Sequence, residues 1–149
     1  MPYDEPEDLI SSCEATLDVI ALLLGDISEE VQDMTGSWTI AEILNHLVDA
    51  ERRQFSRVRR LRREKDPQMK VQADRDVTRM TALRAWKLFY ELRRRHVRML
   101  RSLKPSEWRR SGTLSPLGKV TIAGIVGHLA AHDAAHTAQI ARRLSGRPG

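Results

Sequence analysis

A chain of 149 residues, 41% hydrophobic and 30% charged, has the size and apolar content of one domain, which is expected over residues 1–149. Its apolar stretches, such as residues 19–25, are too short to cross a bilayer, and its acidic start does not resemble a secretion signal. The net charge of +5 hides an asymmetry, because residues 1–51 hold 13 acids and no Lys or Arg. The short apolar stretches, the acidic start and the lone cysteine together predict a cytoplasmic protein without membrane partners.

Two amphipathic helices are predicted in the acidic part of the chain. Apolar residues recur at steps of three and four along residues 10–27, which predicts a helix over about 6–25. Cys13 lies on this apolar stripe and is interpreted as a core residue rather than a nucleophile. The second helix opens at "SWTIAEIL", where Thr39 and Glu42 match a capping box, and its apolar stripe continues to about residue 65.

Two further helices are predicted in the basic part. The stretch "DPQMKVQAD" breaks the second helix, and a third is expected from about Asp76 to Leu103. The stretch "KPSEWRRSGTLSPLGK" is expected to be a loop, after which Thr121 starts a fourth helix that ends near Gly146. Because no long alternating run of β-branched residues appears, the sequence predicts an all-α four-helix bundle.

An internal similarity supports the two best-marked helix starts. "WTIAEILNHLVDAE" at 38–51 aligns with "VTIAGIVGHLAAHD" at 120–133, with six identities in fourteen positions. A true repeat and a chance recurrence of helix-start signals explain the similarity equally well.

The motif "HLAAHDAAH" at 128–136 places three histidines at four-residue spacing near the end of the chain. Residues four apart on a helix are about 6 Å apart on one face, whereas residues eight apart are separated by about 12 Å along the axis. At most two of the three can therefore bind one ion. His132 and His136 continue the apolar seam of the fourth helix, where imidazoles need hydrogen bonds or a metal ion.

A third ligand would have to come from another helix. His46 is the strongest candidate because it lies early in the well-capped second helix, between Ile43 and Leu47. His96 is the reserve, although a partly exposed histidine on a basic face is the simpler interpretation. His128 is expected at the edge of the seam, where a hydrogen bond or a contact with a partner subunit would occupy it.

Three neutral imidazoles leave one coordination position open, which is typical of catalytic rather than structural zinc. The open position would hold water or a thiol, and all-nitrogen ligation also suits nickel or iron. No catalytic base is evident, since the candidate acids are more simply caps or solvated charges: Glu42, Asp49, Glu51 and Asp133. Asp133 or Gln139 is a candidate for orienting a ligand through a hydrogen bond.

Together, "WTIAEILNHLVDAE", "LGKVTIAGIVGHLAAH" after Trp108, and "HDAAHTAQI" resemble the DinB-like (YfiT-type) superfamily over nearly the whole chain. The family's metal triad, carried onto this sequence, falls on His46, His132 and His136. The resemblance further implies an up-down-down-up bundle, a homodimer and a bound divalent metal, often zinc or nickel. Its implied activities are metal-dependent hydrolysis or S-transfer with a low-molecular-weight thiol on a small-molecule substrate.

A metal-dependent enzyme is therefore the leading hypothesis, with two alternatives. The first is a stress-associated dimer whose metal is not catalytic. The second is a DNA-binding protein that uses the basic runs at 52–65 and 93–101. Apolar residues at helical spacing within both runs argue against nucleic acid, since they indicate outer faces of packed helices. In thiol transfer, Arg53 or Arg143 are candidates for receiving the carboxylates of the thiol.

Overall fold

The computed structural model describes residues 5–25, 39–72 and 79–145. Its four long helices are α1 (Pro6–Leu24), α2 (Ile40–Arg63), α3 (Ala82–Arg101) and α4 (Ile122–Leu144). The four-helix prediction is confirmed, and the predicted ends of α1 and α2 agree with the structure to within a residue or two. None of these helices, within the described ranges, is both long enough and apolar enough to cross a membrane.

Threonine caps determine where three of the helices begin. The side chains of Thr39, Thr81 and Thr121 each accept a hydrogen bond from the backbone N–H three residues on, at 3.1, 3.3 and 3.0 Å. The predicted caps of α2 and α4 are thus confirmed. The predicted start of α3 at Asp76 lies outside the described residues, but residues 79–81 are not helical, because the helix begins after the Thr81 cap. The predicted end of α4 at Gly146 also lies outside the described residues.

A small three-stranded sheet closes one end of the bundle. It consists of β1 (Gln68–Lys70), β2 (Ser111–Ser115) and β3 (Gly118–Thr121), with β1 parallel and β3 antiparallel to β2. The prediction of plain loops in both regions is wrong, because strands of three to five residues are too short to show a clear alternation. The sheet matters for the site because β3 leads directly into the cap of α4.

Gly112 in β2 marks a close approach of backbones. A Cβ atom at this position would lie 2.7 Å from the carbonyl oxygen of Pro67 and 2.9 Å from Cδ2 of Leu61. We expect Gly112→Ala to lower the free energy of unfolding by about 1–3 kcal/mol, measured by urea denaturation, because the backbone contact cannot yield easily.

Gly127→Ala is the matched control, since a Cβ there meets Leu9 at an ordinary 3.7 Å and the residue is inside α4. Helix propensity predicts unchanged or higher stability, by up to about 1 kcal/mol. Equal unfolding midpoints for the two variants would contradict the close approach at Gly112.

The core consists of two apolar clusters. One groups the start of α1, the ends of α2 and α3, the start of α4 and the sheet, and it includes Leu9, Phe55 and Ile125. The other groups the end of α1, the start of α2 and the start of α3 with Ile140 of α4. These contacts are those expected if α1 and α4 run one way and α2 and α3 the other, which is our interpretation of the bundle as up-down-down-up.

A buried ionic network centred on Arg93 joins all four helices. The Arg93 guanidinium, with no exposed surface, donates to Glu51 at 2.8 and 2.9 Å and to Asp133 at 2.7 and 3.1 Å. It also donates to the backbone oxygen of Cys13, while the Thr16 hydroxyl donates to Asp133. Burial lowers the pKa of Arg93, but the two carboxylates outweigh it and raise that pKa overall.

The two acids of this network occupy equivalent positions in the internal similarity of the sequence, since Glu51 aligns with Asp133. Burial raises the pKa of Glu51, but Arg93 and His96 outweigh it and keep that pKa below its usual value. The interpretation of Glu51 and Asp133 as caps or solvated charges is therefore wrong, because both carboxylates lie in the core opposite Arg93.

Candidate metal centre

Three imidazoles, one from α2 and two from α4, converge on one point between these helices. The Nε2 atom of His132 lies 3.0 Å from Nε2 of His46 and 3.2 Å from Nε2 of His136. Among the described residues, these are the His, Cys, Asp or Glu side chains grouped closely enough to hold a metal ion, with one nitrogen of each within 4.8 Å of the others. All three are half-buried, so the cluster is accessible from one side.

The positions follow from the helical spacing. His132 and His136 are one turn apart on α4, and α2 packs against this face and carries His46. The ring centroids are 4.4–5.0 Å apart, which places the three rings around a common point. The structure thus brings together the three histidines that the sequence pattern selected.

The donor set fits a transition metal. Two nitrogens bound to one zinc ion at about 2.0–2.1 Å in tetrahedral geometry lie about 3.3–3.4 Å apart. The measured separations of 3.0 and 3.2 Å are close to that value, so small side-chain adjustments suffice. The cluster therefore has the spacing expected of three ligands to one ion.

Gln139 fixes the tautomer of one candidate ligand. The Nδ1–H of His136 donates to the side-chain oxygen of Gln139 at 2.8 Å. Because a neutral imidazole carries one hydrogen, the lone pair of His136 is then on Nε2 and is directed at the cluster. This is the orienting role for which the sequence made Gln139 a candidate, whereas Asp133, the other candidate, contacts Arg93 and Thr16.

His132 is kept neutral by its surroundings. Burial is the largest cause that lowers its pKa, to about 4, and the positive charges of His136, His46, His128 and Arg53 would add to the shift. Its Nδ1 atom is buried and has no hydrogen-bond partner within the described parts of the chain. A neutral imidazole with Nε2 facing two other nitrogens is suited to donate a lone pair to a cation.

We expect Gln139→Leu to weaken metal binding by about 10–100-fold, the usual effect of removing the hydrogen bond that orients a ligand. The affinity would be measured by competition with a chromogenic chelator. Gln139→Glu is the matched control, since it keeps a side-chain oxygen that can accept from Nδ1 of His136, and it should bind the metal at least as tightly as wild type. Equal affinity in the Gln139→Leu variant and wild type would contradict the orienting role.

The other histidines are not part of the cluster. The interpretation of His96 as partly exposed is wrong, because its ring is buried, stacks on Phe55 at 3.9 Å and places Nδ1 2.8 Å from a Glu51 oxygen. Its role as reserve ligand is excluded by that geometry, which holds it against Glu51. His128 is exposed, with its ring centroid 6.5 Å from that of His132, as expected at the edge of the seam.

The remaining candidates are also placed by the structure. Cys13 is fully buried, and burial is the main cause that raises the pKa of its thiol to about 12, which confirms a core residue. Glu42 serves as a cap partner of Thr39, as predicted. Arg143 is buried, so it does not belong to a solvated face.

The comparisons with known proteins agree with this architecture. Residues 13–140 match the family model of the DinB superfamily. A Bacillus mycoides protein, whose name proposes a metal-dependent hydrolase, is 24% identical over 129 residues, covering 81% of this chain and 75% of its own. The solved structure of YfiT from Bacillus subtilis is similar in fold, with a TM-score of 0.80, 18% identity, and 96% and 89% of the two chains covered. That protein is described as a probable metal-dependent hydrolase with an unusual four-helix-bundle topology.

Proposed function

This chain belongs to the DinB superfamily, and from that membership and its three-histidine cluster we propose that it is a metal-dependent hydrolase of small molecules. The observation that carries the proposal is the convergence of the Nε2 atoms of His46, His132 and His136 at a half-buried, accessible position. Zinc or nickel is the expected ion, with iron as a third candidate.

A divalent ion held by three neutral imidazoles would make a bound water or thiol acidic enough to act as a nucleophile near neutral pH. The chain itself supplies the lone pairs, orients one of them through Gln139 and holds the centre against the core. Cys13 is excluded as a nucleophile by its burial and its raised pKa. We infer that the attacking group comes from outside the chain, as water in hydrolysis or as a low-molecular-weight thiol in S-transfer.

The test is a turnover assay with the untagged chain loaded separately with zinc, nickel or ferrous iron. A carboxylic ester, an amide and an alkyl halide would each be offered with and without an added thiol. The proposal predicts turnover without thiol that is lost in His46→Ala and kept in His128→Ala, since His128 is an exposed neighbour of the cluster. Turnover that requires the added thiol would indicate S-transfer rather than hydrolysis as the reaction.

Bound metal without turnover in any assay would favour the alternative of a non-catalytic metal-binding protein. The homodimer remains a family-based proposal. The acidic first helix meets a basic helix within the single chain at one point, where Arg101 of α3 donates to both carboxylate oxygens of Glu14 at 3.0 Å.

A further inference from the structure

A basic cleft lies along α2, on the same side of the helix as His46. It is a cavity of about 400 Å³ between α2 and the segment around β1. Five of its lining side chains are cationic and one is acidic: Arg52, Arg53, Arg57, Arg60, Lys70 and Asp49. A volume of this size is within the range of about 300–1,000 Å³ that is usual for small-molecule sites. Charge and shape together therefore favour a small anion as its occupant.

The positive charge of Arg57 is poorly compensated by the described residues around it. Arg57 is partly buried, and its hydrogen-bond partner among the described residues is the uncharged side-chain oxygen of Gln54, at 3.2 Å. Burial and the nearby charge of Arg53 both lower the pKa of Arg57. Arg60, by contrast, is held by both oxygens of Glu64, at 2.8 and 3.0 Å. An anion between Arg53 and Arg57 would relieve this crowding of like charges.

The cleft and the cluster share one face of a single helix. His46, Asp49, Arg53 and Arg57 follow each other on α2 at steps of three and four, so their side chains form one continuous stripe. Seven residues of helix separate His46 from Arg53, which corresponds to about 10 Å along the axis. The charge of Arg53 is one of the causes that lower the pKa of His132, so the cleft and the histidine cluster are close enough to interact electrostatically.

We propose that this cleft binds a phosphate monoester group of the substrate, with Arg53 and Arg57 as its ligands and the reacting bond at the histidine cluster, about 10–16 Å away along the axis of α2. The substrate class rests on the proposed function, whereas binding of the phosphate group does not. Two guanidinium groups one turn apart match a dianion with three acceptor oxygens better than a single carboxylate. The phosphate is thus a recognition group, and the bond that is cleaved lies elsewhere in the molecule.

The experiment is isothermal titration calorimetry of the untagged chain of 149 residues with phenyl phosphate, first without metal and then after loading with zinc. We expect Arg57→Gln to weaken binding about 10-fold or more in both forms, which corresponds to the loss of one charge-assisted hydrogen bond. Arg59→Gln is the matched control, because it removes the same charge from an exposed position on α2 that does not line the cavity.

Absence of binding to wild type, or equal weakening by the two substitutions, would overturn the proposal. Tighter binding of a DNA duplex than of phenyl phosphate, again lowered equally by both substitutions, would overturn it in favour of a nucleic-acid surface. A failure of the proposed function alone has a different signature, because phosphate binding in the metal-free chain would persist without any turnover.

Discussion

Substitution of His132 by alanine is expected to abolish stoichiometric metal binding, and substitution of His46 should do the same although the residues are 86 positions apart. Each variant removes one of three converging Nε2 atoms and leaves too few ligands for a stable site. The loss of affinity should exceed about 100-fold, the upper end of the effect of removing an outer hydrogen bond. Metal content after dialysis and competition with a chelator would measure it.

His128→Ala is the control for these variants, since it removes an exposed imidazole from the same helix. It should retain about one ion per chain. Loss of metal in His128→Ala to the same degree, or its retention in both His46→Ala and His132→Ala, would show that the ion binds elsewhere.

Arg93→Met is expected to have the largest effect on stability, lowering the free energy of unfolding by about 3–5 kcal/mol. The substitution preserves much of the side-chain volume but leaves Glu51 and Asp133 in the core without the guanidinium that pairs with both. Denaturant unfolding followed by circular dichroism would measure the change.

Arg101→Met provides the comparison, because Arg101 also binds both oxygens of a carboxylate, Glu14, but at the surface. Solvent screens that pair, so its loss should leave the unfolding midpoint nearly unchanged. If Arg93→Met does not fold, Arg93→Lys and Asp133→Asn would still rank above Arg101→Met in their destabilisation. Equal midpoints for Arg93→Met and Arg101→Met would contradict a structural role for the buried network.

The bundle could be predicted because its two strongest signals are local. Apolar residues at steps of three and four define the inner faces of α1 and α2, and threonine caps mark the starts of α2 and α4. The three short strands could not be predicted, since each depends on pairing with a segment distant in sequence. In the register of the sheet, Gln68 pairs with Thr113.

The inner face of α3 shows why the buried network was missed. Trp86, Phe89 and Leu92 recur at three-residue steps in the sequence, as an apolar stripe would, but Trp86 and Leu92 are only partly buried. Arg93 is buried in the core instead. A search for apolar periodicity passes over charged residues at core positions. The available signal was the position of Glu51, which lies four residues from both Leu47 and Phe55 on the buried stripe of α2.

The candidate site was predictable to the extent that helix geometry constrains it. Spacing showed that at most two of the three histidines at 128–136 can reach one ion, and the apolar seam of the fourth helix selected His132 and His136. The sequence favoured His46 over His96 as the third residue but could not establish that choice, because it depends on how the helices pack. In the structure His96 is held by Glu51 and Phe55, which leaves His46 opposite the pair on α4.

The most direct test of this account is zinc K-edge X-ray absorption of the untagged chain loaded with one equivalent of zinc. Three imidazole nitrogens and one further light atom at about 2.0–2.1 Å are predicted, with one imidazole fewer in any zinc that His132→Ala retains. A wild-type chain that binds no zinc, or a zinc spectrum that His132→Ala leaves unchanged, would contradict the three-histidine centre.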